Sequence, residues 1–139
     1  MNRLTRSNAL KIAAGIILLL ALLDLFVFEL PALMLGQAAV DQAANADGGP
    51  PFFMVLLSSA IDVLGIVTAY GLWRGQRWGV VLAIVFSAFN VLSGLAGALF
   101  APDAGTRIVA AVAVVLSIAT IVLCLWRERK PQPGTVPAS

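Results

Sequence analysis

Residues 52–100 read FFMVLLSSAIDVLGIVTAYGLWRGQRWGVVLAIVFSAFNVLSGLAGALF, and this stretch decides the fold. It holds two apolar runs, Phe52–Trp73 and Trp78–Phe100, joined by only four residues. Each run exceeds the roughly 20 apolar residues that an α-helix needs to cross about 30 Å of hydrocarbon. The stretch therefore predicts a hairpin of two membrane-spanning helices, and Gly75 supplies its tight turn with a residue that tolerates a positive φ.

Two further apolar runs flank this hairpin. Ile12–Leu23 precedes it and reaches spanning length only if Asp24 is included, while Ile108–Trp126 follows it. We predict an all-α, integral-membrane four-helix bundle of up-down-up-down topology, formed by one domain over residues 1–130. The predicted spans cover about residues 10–35, 52–73, 78–100 and 107–126, and a Pro-rich, disordered tail is expected over residues 131–139.

The composition favours lipid over water as the surrounding medium. Hydrophobic residues make up 60% of the chain and charged residues 12%, and the mean hydropathy is +0.97. A soluble bundle of four such helices would have too little polar surface to cover it.

A cleaved signal peptide is the alternative for the first run, with Gln37–Ala39 as a late candidate site, but that run is longer than a typical signal core. We therefore expect an uncleaved first helix.

The distribution of basic residues predicts the orientation. Eight of the nine lie in the two terminal segments or in the turn between the second and third runs, and the ninth, Arg107, begins the last run. By the positive-inside rule both termini and the Arg74–Arg77 turn are cytoplasmic. The expected location is the bacterial cytoplasmic (inner) membrane, as a multi-pass protein in contact with lipid.

The residues that are missing exclude much chemistry. The chain has no histidine and a single cysteine, Cys124, so it offers no CxxC pair, no intrachain disulfide and no histidine base or metal ligand. We predict no catalytic residues, no cofactor and no metal site. The basic balance follows from the membrane topology, so nucleic-acid binding is not expected.

Each span contributes one polar side chain at a similar depth. At about 1.5 Å per residue, Asp24 lies roughly 20 Å beyond Lys11, and Asp62 lies roughly 16 Å before Trp73. Asn90 and Ser117 fall roughly 18 and 14 Å from the cytoplasmic ends of their helices. We call this layer the polar slab, and its residues are Asp24, Asp62, Asn90 and Ser117.

Small residues at helical spacing predict which helix faces pack together. In lipid, small side chains allow helix backbones to approach closely. The second, third and fourth runs each carry such a stripe. The predicted helix-packing residues are Gly65, Ser87, Gly94 and Gly97.

An aspartate at the centre of a spanning helix costs roughly 2.5–3.5 kcal/mol, so Asp24 and Asp62 are predicted to face the bundle interior. With no basic residue in the polar slab, we expect at least one of them to be a neutral carboxylic acid near pH 7. Two interpretations stay open. The acids form a proton- or cation-binding pair, or they fix helix register by hydrogen bonds to Asn90 and serines.

Glu29 is a separate case, since it lies near the predicted outer boundary. Arg107 has a similar depth and is the only basic residue on that side. We therefore expect Glu29 and Arg107 to form an interfacial pair. Pro31 is expected to kink the first helix or to begin its exit from the membrane.

The stretch YGLWRGQRWGVVLAIV, Tyr70–Val85, resembles the cytoplasmic hairpin of small four-span bacterial inner-membrane proteins of unknown function. The resemblance implies a bacterial membrane protein and carries no functional residues.

Two function classes remain. The first is a non-enzymatic structural or accessory subunit that packs with a membrane-protein partner or as a homo-oligomer. The alternative is a small proton- or cation-coupled carrier or channel that uses Asp24 and Asp62.

Overall fold

A computed structural model describes residues 5–126 of the chain as a bundle of helices. Four of its helical segments are long and apolar enough to cross a membrane, and no strand occurs within this range. The predicted all-α, four-span fold class is confirmed. The predicted tail, residues 131–139, lies outside the described residues. The helices are α1 (Arg6–Leu23), continued by a π-helical segment (Asp24–Glu29) and α2 (Leu30–Leu35), then α3 (Gln37–Asp47), α4 (Phe52–Trp73), α5 (Arg77–Phe100) and α6 (Ala104–Cys124).

The bundle leaves most of its apolar surface facing outward. Only 17% of the most apolar stretch of α6 and 33% of that of the first span are buried within the protein. Large side chains such as Leu92, Val115 and Phe26 are more than half exposed. Contiguous apolar surface on this scale is not found on soluble monomers. The medium that covers these faces is the hydrocarbon of the bilayer.

The four spans form a closed ring in which each packs on two neighbours. The first span contacts α4 and α6, and α5 contacts the same two helices from the other side. The core of this ring is built largely from small side chains and is concentrated towards the α4–α5 turn, around Ile17, Leu72 and Phe86. Small side chains let the backbones approach closely, which drives helix association where no hydrophobic effect operates.

The turn between α4 and α5 confirms the predicted role of Gly75. Gly75 has φ 68°; its N–H donates to the Leu72 carbonyl, and the Gln76 N–H donates to the Gly71 carbonyl, both at 2.9 Å. This pair of bonds is a Schellman cap, which satisfies carbonyls at the end of a helix and favours glycine at the left-handed position. The cap fixes α5 against α4 immediately after the turn.

The structure shows how the first span departs from regular α-helix. Between Asp24 and Glu29 the helix widens to π-helical geometry, and the Leu30 N–H donates to the Leu25 carbonyl five residues back. Pro31 follows directly; it has no N–H to donate, and its ring clashes with the carbonyl four residues earlier. The helix accommodates proline by widening before it and then continues to Leu35.

Gly36, with φ 85°, ends this span and separates it from α3. α3 is a distinct helix of 11 residues and does not continue the first span. The side chain of Asp41 in α3 accepts a hydrogen bond of 2.9 Å from the Phe52 N–H at the start of α4. This bond caps α4 from a distance and holds α3 against the end of the bundle.

The short connection between α5 and α6 is held by Asp103. Its carboxylate accepts a 2.7 Å bond from the Thr106 N–H and a 2.8 Å bond from the Thr106 hydroxyl. These bonds, the backbone bond first, hold the pKa of the Asp103 carboxyl below its ordinary value of 3.8. Asp103 is thus the N-cap of α6.

We predict that the Asp103 cap is sensitive to acid. Because its pKa is lowered on folding, Asp103 contributes stability that is fully present above its ordinary pKa and is lost as the pH falls through the folded value. Asp103→Asn retains a capping oxygen but does not titrate. Thermal unfolding followed by circular dichroism should show wild type and variant alike near pH 7, with wild type losing more stability than the variant below about pH 4. Parallel loss in both proteins would contradict the prediction.

Candidate functional site

Three carboxyl groups converge inside the bundle, on the first span and on α4. Asp62 is 4% exposed and Glu29 is 5% exposed, while Asp24 is half-buried. Asp62 interacts electrostatically with both Glu29 and Asp24, and Asp24 also interacts with Glu29. We call Asp24, Glu29 and Asp62 the carboxyl cluster. It is the only group of interacting buried acids in residues 5–126.

The depths of Asp24 and Asp62 follow from the register of α1 against α4. The Lys11 ammonium lies 5.6 Å from the centroid of the Trp73 ring, so these two residues mark one level near the end of the bundle. Asp24 follows Lys11 by 13 residues, and Asp62 precedes Trp73 by 11. Antiparallel helices that share a starting level bring these positions to similar depth.

The π-helical segment is what brings Glu29 to the same place. On a regular α-helix, residues five apart point about 140° away from each other, at 100° per residue. A π-helical turn closes between residues i and i+5, so Asp24 and Glu29 fall close to one face. Such segments are frequent at functional sites.

The carboxyl cluster has no donor to satisfy it. Both Glu29 oxygens and Asp62 Oδ2 are buried without a hydrogen-bond partner. Glu29 nevertheless approaches Asp62 as a hydrogen-bonding partner would. Two ionised carboxylates are both acceptors and repel, whereas one protonated carboxyl can donate to the other. A single shared proton would therefore satisfy both groups.

Three polar side chains of the spans donate hydrogen bonds to backbone carbonyls of their own helices. The hydroxyls of Thr68 and Thr120 donate to Leu64 and Leu116, one turn back. Asn90, which is half-buried, donates from Nδ2 to the Phe86 carbonyl at 3.0 Å. A threonine hydroxyl that donates within its own helix has no second proton to donate across the bundle.

The structure brings together Asp24 and Asp62 of the polar slab. Asn90 and Ser117, its other two residues, form no hydrogen bond with them. Ser117 is fully buried, but its hydroxyl has no hydrogen-bond partner. Within the described range, no hydrogen bond joins Asn90 or Ser117 to either acid.

The expected interfacial pair between Glu29 and Arg107 is wrong. Glu29 is buried, and its carboxyl has no bond to Arg107 or to any other described donor. Arg107 is exposed; its Nε donates to the Ala101 carbonyl at 2.7 Å, and its charge acts on Asp103. The expectation assumed α-helical geometry up to Pro31. The π-helical turn rotates Glu29 into the bundle instead.

The helix-packing residues occupy close approaches between helices. A Cβ on Gly65 would lie 2.8 Å from the Phe86 ring, and one on Gly94 would lie 2.6 Å from Val114. Gly97 faces Ala110, and Ser87 is fully buried. The sequence analysis missed the closest approach of all, between Gly71 and Gly79. Its signal was the continuation of the α5 stripe one turn back, since Gly79, Ala83 and Ser87 recur every four residues.

A cavity of about 960 Å³ lies beside the carboxyl cluster. The first span, α3, α4 and α5 all contribute to its wall, which is mostly apolar. Glu29, Asp24 and Asp47 of α3 are among its lining residues. No lysine or arginine is among its lining residues. No described group of three or more acidic, cysteine or histidine side chains has the arrangement of a metal site.

Fold and site together define a multi-pass membrane protein with acids buried between its helices. The chain is similar to the Sec-independent protein translocase protein TatC of Xylanimonas cellulosilytica, with 34% identity over 92 residues. The match covers 66% of this chain but only 30% of that protein. No protein-family model and no solved structure matches the chain. These features fit a small bacterial membrane protein, as the Tyr70–Val85 hairpin indicated, and support the predicted location in the inner membrane.

Proposed function

We propose that the protein is a non-enzymatic accessory subunit of an inner-membrane assembly, and that this assembly translocates proteins. The observation that carries the proposal is the similarity over 92 residues to a protein named as a Sec-independent protein translocase component. Because the chain spans under a third of that relative, the proposed role is that of one part of an assembly. Lipid and a membrane-protein partner are the contacts this role requires.

The surface of the bundle supports this proposal. Its spans expose long apolar faces, and the connections around Gly75 and Pro102 are a few residues long. Described residues outside the membrane therefore offer little beyond α3 for contacts in water. A partner would meet this protein mainly through helix faces within the bilayer, where shape and small residues determine association.

Photocrosslinking in native membranes tests the accessory role. A photoreactive residue is placed at three outward positions on different spans, Leu19, Leu92 and Val115, which are all exposed. We expect adducts with one larger membrane protein from one face of the bundle, identified by mass spectrometry and matched by co-purification in mild detergent. Equal, weak adducts from all three positions, or only adducts between copies of this chain, would contradict the proposal.

The proposed orientation places both termini and the turn around Gly75 in the cytoplasm, following the positive-inside rule. Single cysteines are introduced at Gly48 and Gln76, which are both exposed, while native Cys124 is buried and contributes little background. An impermeant thiol reagent added to intact cells should label position 48 and leave position 76 unlabelled until the membrane is opened. The reverse pattern would refute the orientation.

A second candidate function is a small proton- or cation-coupled carrier or channel. It is favoured by the carboxyl cluster, in which buried acids interact without a basic partner or a donor. Acids inside membrane-spanning helices often mark ion or proton pathways. Vesicles that contain the purified protein should then take up protons or monovalent cations faster than empty vesicles under an imposed gradient. Equal rates would exclude this candidate.

A further inference from the structure

The cavity beside the carboxyl cluster has the dimensions of a small-molecule site. Its volume of about 960 Å³ lies at the upper end of the roughly 300–1,000 Å³ range of ligand pockets. Aliphatic and aromatic side chains form most of its wall, including Phe28 from the first span and Phe89 from α5. Ser58 and Ser93 are its uncharged hydroxyl groups. A mostly apolar wall with a few placed polar groups is typical of sites for lipophilic ligands.

All the charged residues of this wall are acidic. Asp24, Glu29 and Asp47 line the cavity, and no basic residue does. The side chain of Glu29 is only 5% exposed, and neither of its carboxyl oxygens has a hydrogen-bond partner. Even when Glu29 and Asp62 share one proton, the pair keeps a negative charge, and a buried negative charge without a counter-charge is unfavourable. A ligand that brings a positive charge would supply the counter-charge.

The chemistry of the wall distinguishes among cations. The residues around Glu29 do not form the cluster of ligands that a metal ion needs. Apolar walls instead suit a cation whose charge is carried on a hydrophobic body. Phe28 and Phe89 are among the lining residues, and aromatic rings attract such a charge through their faces. An uncharged lipid tail would fill the same space but would leave Glu29 unpaired.

We propose that this cavity binds a lipophilic organic cation, with the Glu29 carboxylate as its counter-charge. Asp24, which also lines the cavity, adds negative potential, and the apolar wall holds the body of the ligand. This inference concerns binding to the protein alone and stands apart from the accessory role, which depends on a partner. Failure of either one leaves the other intact.

Equilibrium binding to the purified full chain in lipid nanodiscs tests the site. The probe is radiolabelled tetraphenylphosphonium, and tetraphenylborate is a competitor of nearly the same shape and opposite charge. We expect saturable binding of the cation, with little competition from the anion. Glu29→Gln keeps the shape of the side chain and removes its charge, and it should weaken binding by about tenfold or more. Asp103→Asn, the equivalent change at the exposed cap of α6, should bind as wild type does.

A second variant protects the test against misfolding of Glu29→Gln. Ser93 is exposed at the cavity wall, so Ser93→Trp should place a bulky ring in the cavity without disturbing the bundle, and it should weaken saturable binding of the bulky cation. Circular dichroism and size-exclusion profiles confirm that each variant is folded. The proposal is overturned if folded wild type shows no saturable binding or if tetraphenylborate competes as well as the cation. It is also overturned if Glu29→Gln or Ser93→Trp, once folded, binds with wild-type affinity.

Discussion

Gly79→Ala is expected to destabilise the bundle strongly, because the added methyl group has no room beside α4. A Cβ at Gly79 would lie 2.5 Å from the Gly71 carbonyl carbon and 2.7 Å from the Leu72 nitrogen, which are backbone atoms. A flexible side chain can move aside, but the backbone of α4 is fixed here by the Schellman cap at Gly75. Overpacking of a well-packed site costs about 1–3 kcal/mol and sometimes more, and this contact belongs at the upper end.

The matched control is the same substitution at Gly15 in α1. A Cβ at Gly15 would meet nothing within 4 Å. There the change only replaces a flexible residue within a helix, so Gly15→Ala should be neutral or stabilising by up to about 1 kcal/mol. Unfolding in mixed detergent micelles, followed by circular dichroism, gives the free energy of unfolding of both variants. Equal stability of the two variants would show that α4 and α5 do not approach as closely as described.

Asp62→Asn is expected to leave the fold intact and to remove proton or cation movement, if the protein supports any. Asp62 is buried, and its Oδ2 atom has no partner. Asparagine has nearly the same shape and adds two N–H donors that can reach the Glu29 carboxyl. Satisfying a buried group of this kind recovers about 1–3 kcal/mol, so the variant should be at least as stable as wild type.

This variant separates the two proposed functions in one protein. If the chain is an accessory subunit only, Asp62→Asn should keep its crosslinks and co-purifying partner, and vesicle uptake should be absent in wild type as well. If the carboxyl cluster moves protons or cations, uptake should be present in wild type and lost in Asp62→Asn. Asp103→Asn should behave as wild type in both assays. A variant that fails to fold would contradict the expectation that the Asp62 carboxyl is not needed for stability.

Several features of this protein follow from local sequence and were predicted correctly from it. The four spans depend on run length and apolar content, which are properties of each segment by itself. The turn at Gly75 depends on backbone bonds between residues only three to five apart. Such interactions need no knowledge of the rest of the fold.

Tertiary structure decided what depends on angle and on distance between helices. Glu29 joins the carboxyl cluster only because the helix before Pro31 widens. At the 100° per residue of a regular α-helix, Glu29 would point about 140° away from Asp24. The closeness of Gly71 and Gly79 depends on how α4 and α5 cross after their turn. The cavity depends on α3 folding back over the first span and α4. Hydrophobicity and capping are properties of a segment, whereas helix phase, backbone approach and enclosed volume are set by the packing of several segments at once.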